Sequence, residues 1–216
     1  MISFEDVTFL FKDGIGIEEA DFSINKNEFT CFLGPTGAGK TTLLRLIYMD
    51  LIPQKGKIII DEFDSTTIKK RHIPKLRRKV GMVFQDFALL NDRNVFENIA
   101  ISLHVMGIKI REVRERVNAV IDELALNDRK NHLPSQLSGG EQQIVSLARA
   151  VVKKPIVVLA DEPTGNLDPA SSFKILKLLE KINENGTAVV MASHDYNLIK
   201  DRGYRFINVK EGKIYN

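Results

Sequence analysis

The sequence contains one cysteine and no long apolar run, and each absence excludes a class of protein. Cys31 has no partner for an internal disulfide, and its place in an apolar stretch predicts a small core residue. A membrane-spanning helix needs about 18 or more consecutive apolar residues, and the sequence has no such run. No basic-then-apolar segment stands at its start. We therefore expect the chain to stay in the cytoplasm.

The sequence also has little net charge and no clustered metal ligands. A net charge of +3 does not by itself indicate a nucleic-acid partner, and we expect none. The four histidines are scattered, which argues against a resident metal centre. One basic segment, residues 69–79, carries seven Lys and Arg residues without an interleaved aromatic residue. It predicts a solvated helix, or else a contact with an anionic membrane surface or an acidic partner.

A glycine-rich stretch at residues 34–41 fits the phosphate-cradling pattern of two spaced glycines followed by Lys and Thr. Residues 29–33 predict a strand before it, and residues 42–47 predict a helix after it. Backbone N–H groups and the helix N-terminus then face one anion, with Lys40 reaching its β- and γ-phosphates and the Thr41 hydroxyl holding Mg²⁺. The predicted nucleotide-binding residues here are Gly34, Pro35, Thr36, Gly37, Ala38, Gly39, Lys40, Thr41 and Thr42.

The N-terminal segments predict a β lid over the core. Residues 2–8 and 17–24 alternate loosely between apolar and polar, which indicates an antiparallel pair, and residues 1–6 predict an edge strand. Phe11 follows the first strand. Its ring is placed either to stack on a nucleobase or to pack in the core.

Residues 86–152 predict a helical insert, because residues 95–103 and 113–124 have helical spacing and no strand signal appears before residue 156. Within it, Ser138, Gly139 and Gly140 open a helix. A hydroxyl, free N–H groups and the helix dipole converge there, so these residues predict a second anion site.

Polar residues follow three predicted strands at their carboxyl ends, where ligands bind in open α/β sheets. Gln85 follows residues 80–84, Asp161 and Glu162 follow residues 156–160, and His194 comes soon after residues 187–192. Asp161 is expected to bind the Mg²⁺ water shell and Glu162 to act as general base on an attacking water. His194 is expected to contact the γ-phosphate or that water.

Together these positions resemble the ATP-binding cassette (ABC) ATPases over the whole chain. The matching positions are residues 34–41 for Walker A, Gln85 for the Q-loop, residues 137–141 for the signature, residues 157–161 for Walker B, Glu162 for the catalytic glutamate, residues 165–168 for the D-loop and His194 for the switch histidine. Phe11 falls where the family places its base-stacking aromatic, although Tyr is usual there. Ile144 stands where an Arg is usual.

The resemblance implies an α/β fold of the P-loop NTPase type, with a RecA-like core, an N-terminal antiparallel β lid and a helical insert. Residues 1–216 would form one domain, with the core in residues 1–85 and 153–216 and the signature subdomain in residues 86–152. The implied cofactors are ATP and Mg²⁺, in two sites shared by an ATP-dependent homodimer. The implied residues are Glu162, His194, Gln85 and Lys40 for catalysis, Thr41, Gln85 and Asp161 for Mg²⁺, and Ser138, Gly139, Gly140, Asp168 and Gln85 for the nucleotide.

Within the family, residues 85–95 and the signature and D-loop variants are most similar to the bacterial cell-division ATPases of the FtsE type. That subgroup works at the cytoplasmic face of the inner membrane, beneath an integral membrane protein of the FtsX type. The alternative is an ATPase of a lipoprotein-release or macrolide-efflux transporter. A soluble ABC ATPase of translation or DNA repair usually needs a longer chain, and the signature with His194 argues against a P-loop kinase.

Overall fold

The computed structural model describes residues 1–215, and in that range it contains ten strands and seven α-helices. The strands are β1 (Ile2–Leu10), β2 (Gly16–Ile24), β3 (Phe29–Leu33), β4 (Lys55–Ile60), β5 (Phe63–Asp64), β6 (Val80–Val83), β7 (Val157–Asp161), β8 (Ala188–Ser193), β9 (Arg205–Lys210) and β10 (Lys213–Tyr215). The helices are α1 (Lys40–Ile47), α2 (Ile73–Lys79), α3 (Val95–His104), α4 (Ile110–Glu123), α5 (Gly139–Val151), α6 (Pro169–Glu184) and α7 (Tyr196–Ile199). The α/β class predicted from the sequence is confirmed.

A six-stranded sheet forms the centre of the fold, in the order β10-β9-β3-β8-β7-β6. All of its pairs are parallel except β9 with β10. In register, Leu33 lies beside Ser193 and Asp161 lies beside Ala192, so the ends of β3, β7 and β8 meet at one edge. This is the edge at which parallel sheets bind ligands.

A second sheet has four strands in the order β2-β1-β4-β5. The antiparallel pairing of β1 with β2 confirms the predicted β lid. The prediction that residues 1–6 form an edge strand is wrong, because β1 pairs with β2 on one side and with β4 on the other. Ile2 and Phe4 point into the core, and neighbours on both sides satisfy the backbone groups of this half-buried strand.

Apolar side chains cover both faces of the central sheet. One cluster lies between the sheet, α1 and the lid, and the other lies between the sheet and the helices of residues 95–151 and 169–184. Cys31 is fully buried on the second face, and its burial raises the thiol pKa to about 12. This confirms the prediction of a small core residue, since a thiol with that pKa is not a nucleophile at neutral pH.

The residues between β6 and β7 contain α3, α4 and α5, as the sequence predicted for a helical insert. Capping boxes start two of them: Asn94 with Glu97 starts α3, and Ser138 with Glu141 starts α5. The basic segment folds as a one-turn 3₁₀ helix followed by α2. Among the described residues, no helix has the length and apolar character that crossing a membrane requires.

Candidate functional site

The loop between β3 and α1 has the backbone that anion binding requires. Gly37 and Gly39 have positive φ angles of 81° and 111°. Gly39 is the N-cap residue of α1 and has no side chain, so the first N–H groups of α1 have no side-chain hydrogen-bond partner and can bind an anion. A Cβ atom at Gly34 would lie 2.0 Å from the Val209 carbonyl oxygen, and only glycine fits there. The loop therefore lies directly against the backbone of β9.

Lys40 is buried at the start of α1 and is held by three oxygen atoms. Its Nζ donates to the carbonyl oxygens of Gly34 at 2.7 Å and Pro35 at 3.0 Å, and it lies 3.2 Å from Glu162 Oε1. The amine is thus anchored over its own loop, opposite a carboxylate. A phosphate group entering the loop would offer the same amine a more highly charged partner.

Glu162 joins the cation of the loop to the histidine of the neighbouring strand. Its Oε2 lies 2.9 Å from His194 Nδ1, while its Oε1 faces Lys40. Glu162 has a left-handed backbone with a φ of 42°, which costs about 1–3 kcal/mol and is typical of functional sites. The carboxylate is mostly buried, whereas the imidazole is half exposed. The pair therefore places a carboxylate oxygen and an imidazole nitrogen together on the wall of the cavity that Lys40 also lines.

Thr41 and Asp161 bring two oxygen ligands together. The Thr41 hydroxyl donates to Asp161 Oδ1 at 3.0 Å, and burial raises the pKa of Asp161 above its usual range, with the Thr41 hydrogen bond and Lys40 opposing that shift. A buried carboxylate beside a hydroxyl is a donor set that fits Mg²⁺, which prefers oxygen ligands and stabilises the ionised form. These residues fit the predicted ion, and Gln85, which lines the same cavity as Thr41, offers a further oxygen ligand.

A cavity of about 220 Å³ unites most of the predicted residues. Its lining comprises Phe11, Ile15, Gly16, Thr36, Gly37, Gly39, Lys40, Thr41, Thr42, Gln85, Glu162 and His194. Phe11 is 38% exposed and contacts Phe9 edge-on, with 5.0 Å between the ring centroids. The ring therefore keeps a free face at the mouth of the cavity. It is not packed in the core.

Two features of this cavity had no signal in the sequence. Ile15 and Gly16 line it because β2 begins beside the loop. Gly212, in the turn between β9 and β10, donates its N–H to the Ala38 carbonyl oxygen at 3.0 Å and accepts from Glu18 N at 3.0 Å. The sequence indicates a turn at Gly212, but it does not indicate that this turn contacts Ala38 and Glu18.

Four of the predicted residues, Ser138, Gly139, Gly140 and Asp168, form a second group outside the cavity. Ser138 caps α5, where its Oγ accepts from Glu141 N at 3.3 Å. Gly140 packs so closely on α6 that a Cβ atom would lie 2.7 Å from Ser171 Oγ. Asp168 caps α6: its carboxylate accepts from the Ser171 hydroxyl at 2.5 Å and from Ser171 N at 3.0 Å, which holds its pKa below the usual range. One chain thus carries a phosphate loop and a separate helix N-terminus, with a hydroxyl at each.

Comparison with known proteins gives a consistent picture. The family model described as "ABC transporter" matches residues 17–165. The chain is 44% identical over 215 residues to the cell division ATP-binding protein FtsE of Bacillus subtilis (strain 168), covering 99% of this chain and 94% of that protein. It is 46% identical over 216 residues to the protein of the same name from Escherichia coli (strain K12), covering 100% and 97%.

Solved structures share the fold over the whole chain. One is a dimeric post-hydrolysis state of the ATP-binding cassette MJ0796 bound to ADP and Pi, with a TM-score of 0.89 and 34% identity, covering 100% of this chain and 97% of that one. A second dimeric structure of the same cassette has a TM-score of 0.90 and 35% identity, with the same coverage. Both structures are dimers.

Proposed function

Since the chain belongs to the ABC transporter family and is an ABC ATPase, we propose that it is the ATP-hydrolysing subunit of a membrane complex that acts in bacterial cell division. The cavity supports ATP hydrolysis, because it brings together five residues at one carboxyl edge of the sheet: Lys40, Thr41, Gln85, Glu162 and His194. The similarity to FtsE proteins, at 44% and 46% identity over nearly the full length of each protein, supports a role in cell division.

In the proposed mechanism each residue acts on the nucleotide in one way. Lys40 leaves Glu162 to bind the β- and γ-phosphates, and Thr41, Asp161 and Gln85 would hold Mg²⁺, which would neutralise phosphate charge. Glu162 then accepts a proton from the attacking water, and His194 orients that water or the γ-phosphate. The binding residues proposed with them are Phe11, Gly34, Pro35, Thr36, Gly37, Ala38, Gly39, Thr42, Ser138, Gly139, Gly140 and Asp168.

The separation of the two groups supports a composite site. Ser138 and the glycines after it stand at the N-terminus of α5, outside the cavity that Lys40 lines. We propose that they bind the γ-phosphate of a nucleotide held by a second copy, so that ATP joins two chains. In this arrangement residues 1–85 and 153–216 act as the nucleotide-binding core, and residues 86–152 act as the signature subdomain.

Phe11→Ala is expected to weaken ATP binding by about 5- to 100-fold, because stacking on a base is worth about 1–3 kcal/mol. ATP and GTP should lose affinity similarly, since stacking uses only the ring face. The measurement is a titration with a fluorescent nucleotide analogue and competing ATP. Phe173→Ala is the matched control, because Phe173 is also exposed but lies on α6. Affinity within twofold of wild type in Phe11→Ala contradicts the stacking role.

The membrane partner, an integral protein of the FtsX type, is proposed to dock on residues 86–98 and on the groove beside them. This groove of about 360 Å³ lies between α2 and α3. Its apolar side chains include Ile101 and Val105, which are 38% and 71% exposed, and the basic residues Arg77, Arg78 and Lys153 also line it. An amphipathic segment with an apolar face and acidic residues complements it. Docking there would hold the chain at the cytoplasmic face of the inner membrane.

Val105→Asp is expected to reduce co-purification of the membrane partner by about tenfold or more, because it puts a carboxylate against the partner's apolar and acidic side chains. Basal ATP hydrolysis should stay at the wild-type level, since Val105 lies outside the cavity. Ile110→Asp is the control, because Ile110 is 67% exposed and lies at the start of α4, outside the groove. Equal capture of the partner by both variants and the wild type contradicts this docking surface.

A further inference from the structure

The loop that follows Gln85 is held by an arginine of α5. Arg149 Nη1 donates to the Ala88 carbonyl oxygen at 2.6 Å, and Nη2 donates to the Phe87 carbonyl oxygen at 2.9 Å. Phe87 and Ala88 both have left-handed backbones, with φ angles of 60° and 47°. Non-glycine residues adopt this conformation only where their surroundings impose it. The fork of the guanidinium is the contact that fixes both carbonyl groups.

The guanidinium of Arg149 donates its hydrogen bonds to this loop. In the part of the chain that the structure describes, no carboxylate forms an ion pair with it. Burial lowers the pKa of Arg149, while Tyr48 and Asp86 partly oppose that shift. A partly buried guanidinium needs strong acceptors, and two backbone carbonyls supply them. Removing the arginine therefore leaves both carbonyls and a strained backbone without their main support.

The helix α5 also contacts the loop that follows Glu162. Gln143 of α5 is buried, and its Nε2 donates to the Pro163 carbonyl oxygen at 2.9 Å, one residue after Glu162. The first residue of α5, Gly139, also lies near the loop after Gln85, since a Cβ atom on it would lie 3.8 Å from Phe87 Cζ. One rigid helix thus touches the loop of Gln85, the loop of Glu162 and, at its N-terminus, the second anion site.

We propose that Arg149 is a positioning residue for ATP hydrolysis, which holds the loop after Gln85 against α5 and so keeps Gln85 at the nucleotide. This inference rests on the proposed function, in which Gln85 contacts the nucleotide and Mg²⁺. Arg149 itself does not line the cavity. It acts through Phe87, Ala88 and Gln85, and it ties the position of Gln85 to the helix that carries the signature residues.

The first test compares Arg149→Met and Arg149→Lys with wild type in steady-state ATP hydrolysis. We expect kcat to fall by about 10- to 100-fold in Arg149→Met with KM for ATP changed by less than about threefold, because a small misplacement of a catalytic group costs turnover. Arg149→Lys keeps the positive charge but has one nitrogen in place of the two-nitrogen fork, so its kcat should lie between those of wild type and Arg149→Met. Arg202→Met is the control, since Arg202 binds Glu180 and the Leu198 carbonyl away from the cavity.

The second test is a double-mutant cycle that combines Arg149→Met with Gln85→Ala. Thermal unfolding checks that each variant is folded. If Arg149→Met does not fold, Arg149→Lys takes its place. If Arg149 acts through Gln85, the double variant should have the kcat of Gln85→Ala alone. Losses that multiply, or a normal kcat in Arg149→Met, overturn this inference while the role of Gln85 stands. Unchanged hydrolysis in Gln85→Ala overturns that role and this inference together.

Discussion

Glu162→Gln should lose nearly all ATP hydrolysis while keeping its affinity for ATP. Glu162 lies between Lys40 and His194, with oxygen contacts of 3.2 and 2.9 Å, and it is the carboxylate on the cavity wall beside the expected γ-phosphate. An amide cannot accept a proton from water. The loss of a general base costs about 10²- to 10⁴-fold in rate, and we expect a fall in this range in kcat.

The same substitution should leave binding intact because it removes a competitor for Lys40. In the structure the Glu162 carboxylate faces the Lys40 amine. A neutral amide releases that amine to the phosphates and removes a negative charge that would repel them. ATP should therefore stay bound, and the ATP-joined dimer should accumulate because it is not hydrolysed. Size-exclusion chromatography with ATP measures the dimer, and phosphate release measures the rate.

Glu180→Gln is the matched control for this prediction. Like Glu162, Glu180 is a partly buried carboxylate that pairs with a basic side chain. It accepts from Arg202 at 2.7 Å and from the Tyr204 hydroxyl at 2.7 Å, but it does not line the cavity. Its hydrolysis should match that of wild type. Unchanged hydrolysis in Glu162→Gln would remove Glu162 from the role of general base.

Lys40→Ala and Ser138→Arg should each abolish the ATP-dependent dimer, for different reasons. The first removes the buried amine that binds the β- and γ-phosphates, so each chain should lose most of its nucleotide affinity. The second places a long side chain at the N-terminus of α5, where Ser138 now caps the helix and Gly140 packs on Ser171. That chain should still bind ATP in its own cavity. It should fail to bind the nucleotide of its partner.

The sequence indicates the elements and the candidate site residues because their signals are local. A glycine-rich loop between a strand and a helix, and carboxylates after an apolar strand, are visible within short windows. The meeting of Lys40, Glu162 and His194 followed from the general rule that parallel strands end at one edge. Their direct contacts required the register of β3, β7 and β8, which is a property of the folded sheet.

Features that depend on distant pairing were not predictable. The alternation of residues 2–8 indicates a half-buried strand, but it does not give the number of neighbours, so β1 was assigned to an edge that it does not occupy. The left-handed backbone at Phe87 and Ala88 carries no glycine signal, and the carbonyl oxygens of both residues accept from Arg149, which lies about sixty residues away in sequence. The close approach of the Val209 carbonyl oxygen to Gly34 also depends on distant pairing.

Mixing the Lys40→Ala and Ser138→Arg chains tests the composite site most directly. A mixed pair has one site in which the intact Lys40 of one chain faces the intact Ser138 of the other, while its second site carries both substitutions. We predict that each variant alone stays monomeric with ATP and inactive, and that the mixture forms a dimer and regains hydrolysis. The account is contradicted if the mixture stays monomeric and inactive, if either variant alone dimerises normally with ATP, or if the wild type hydrolyses ATP as a strict monomer.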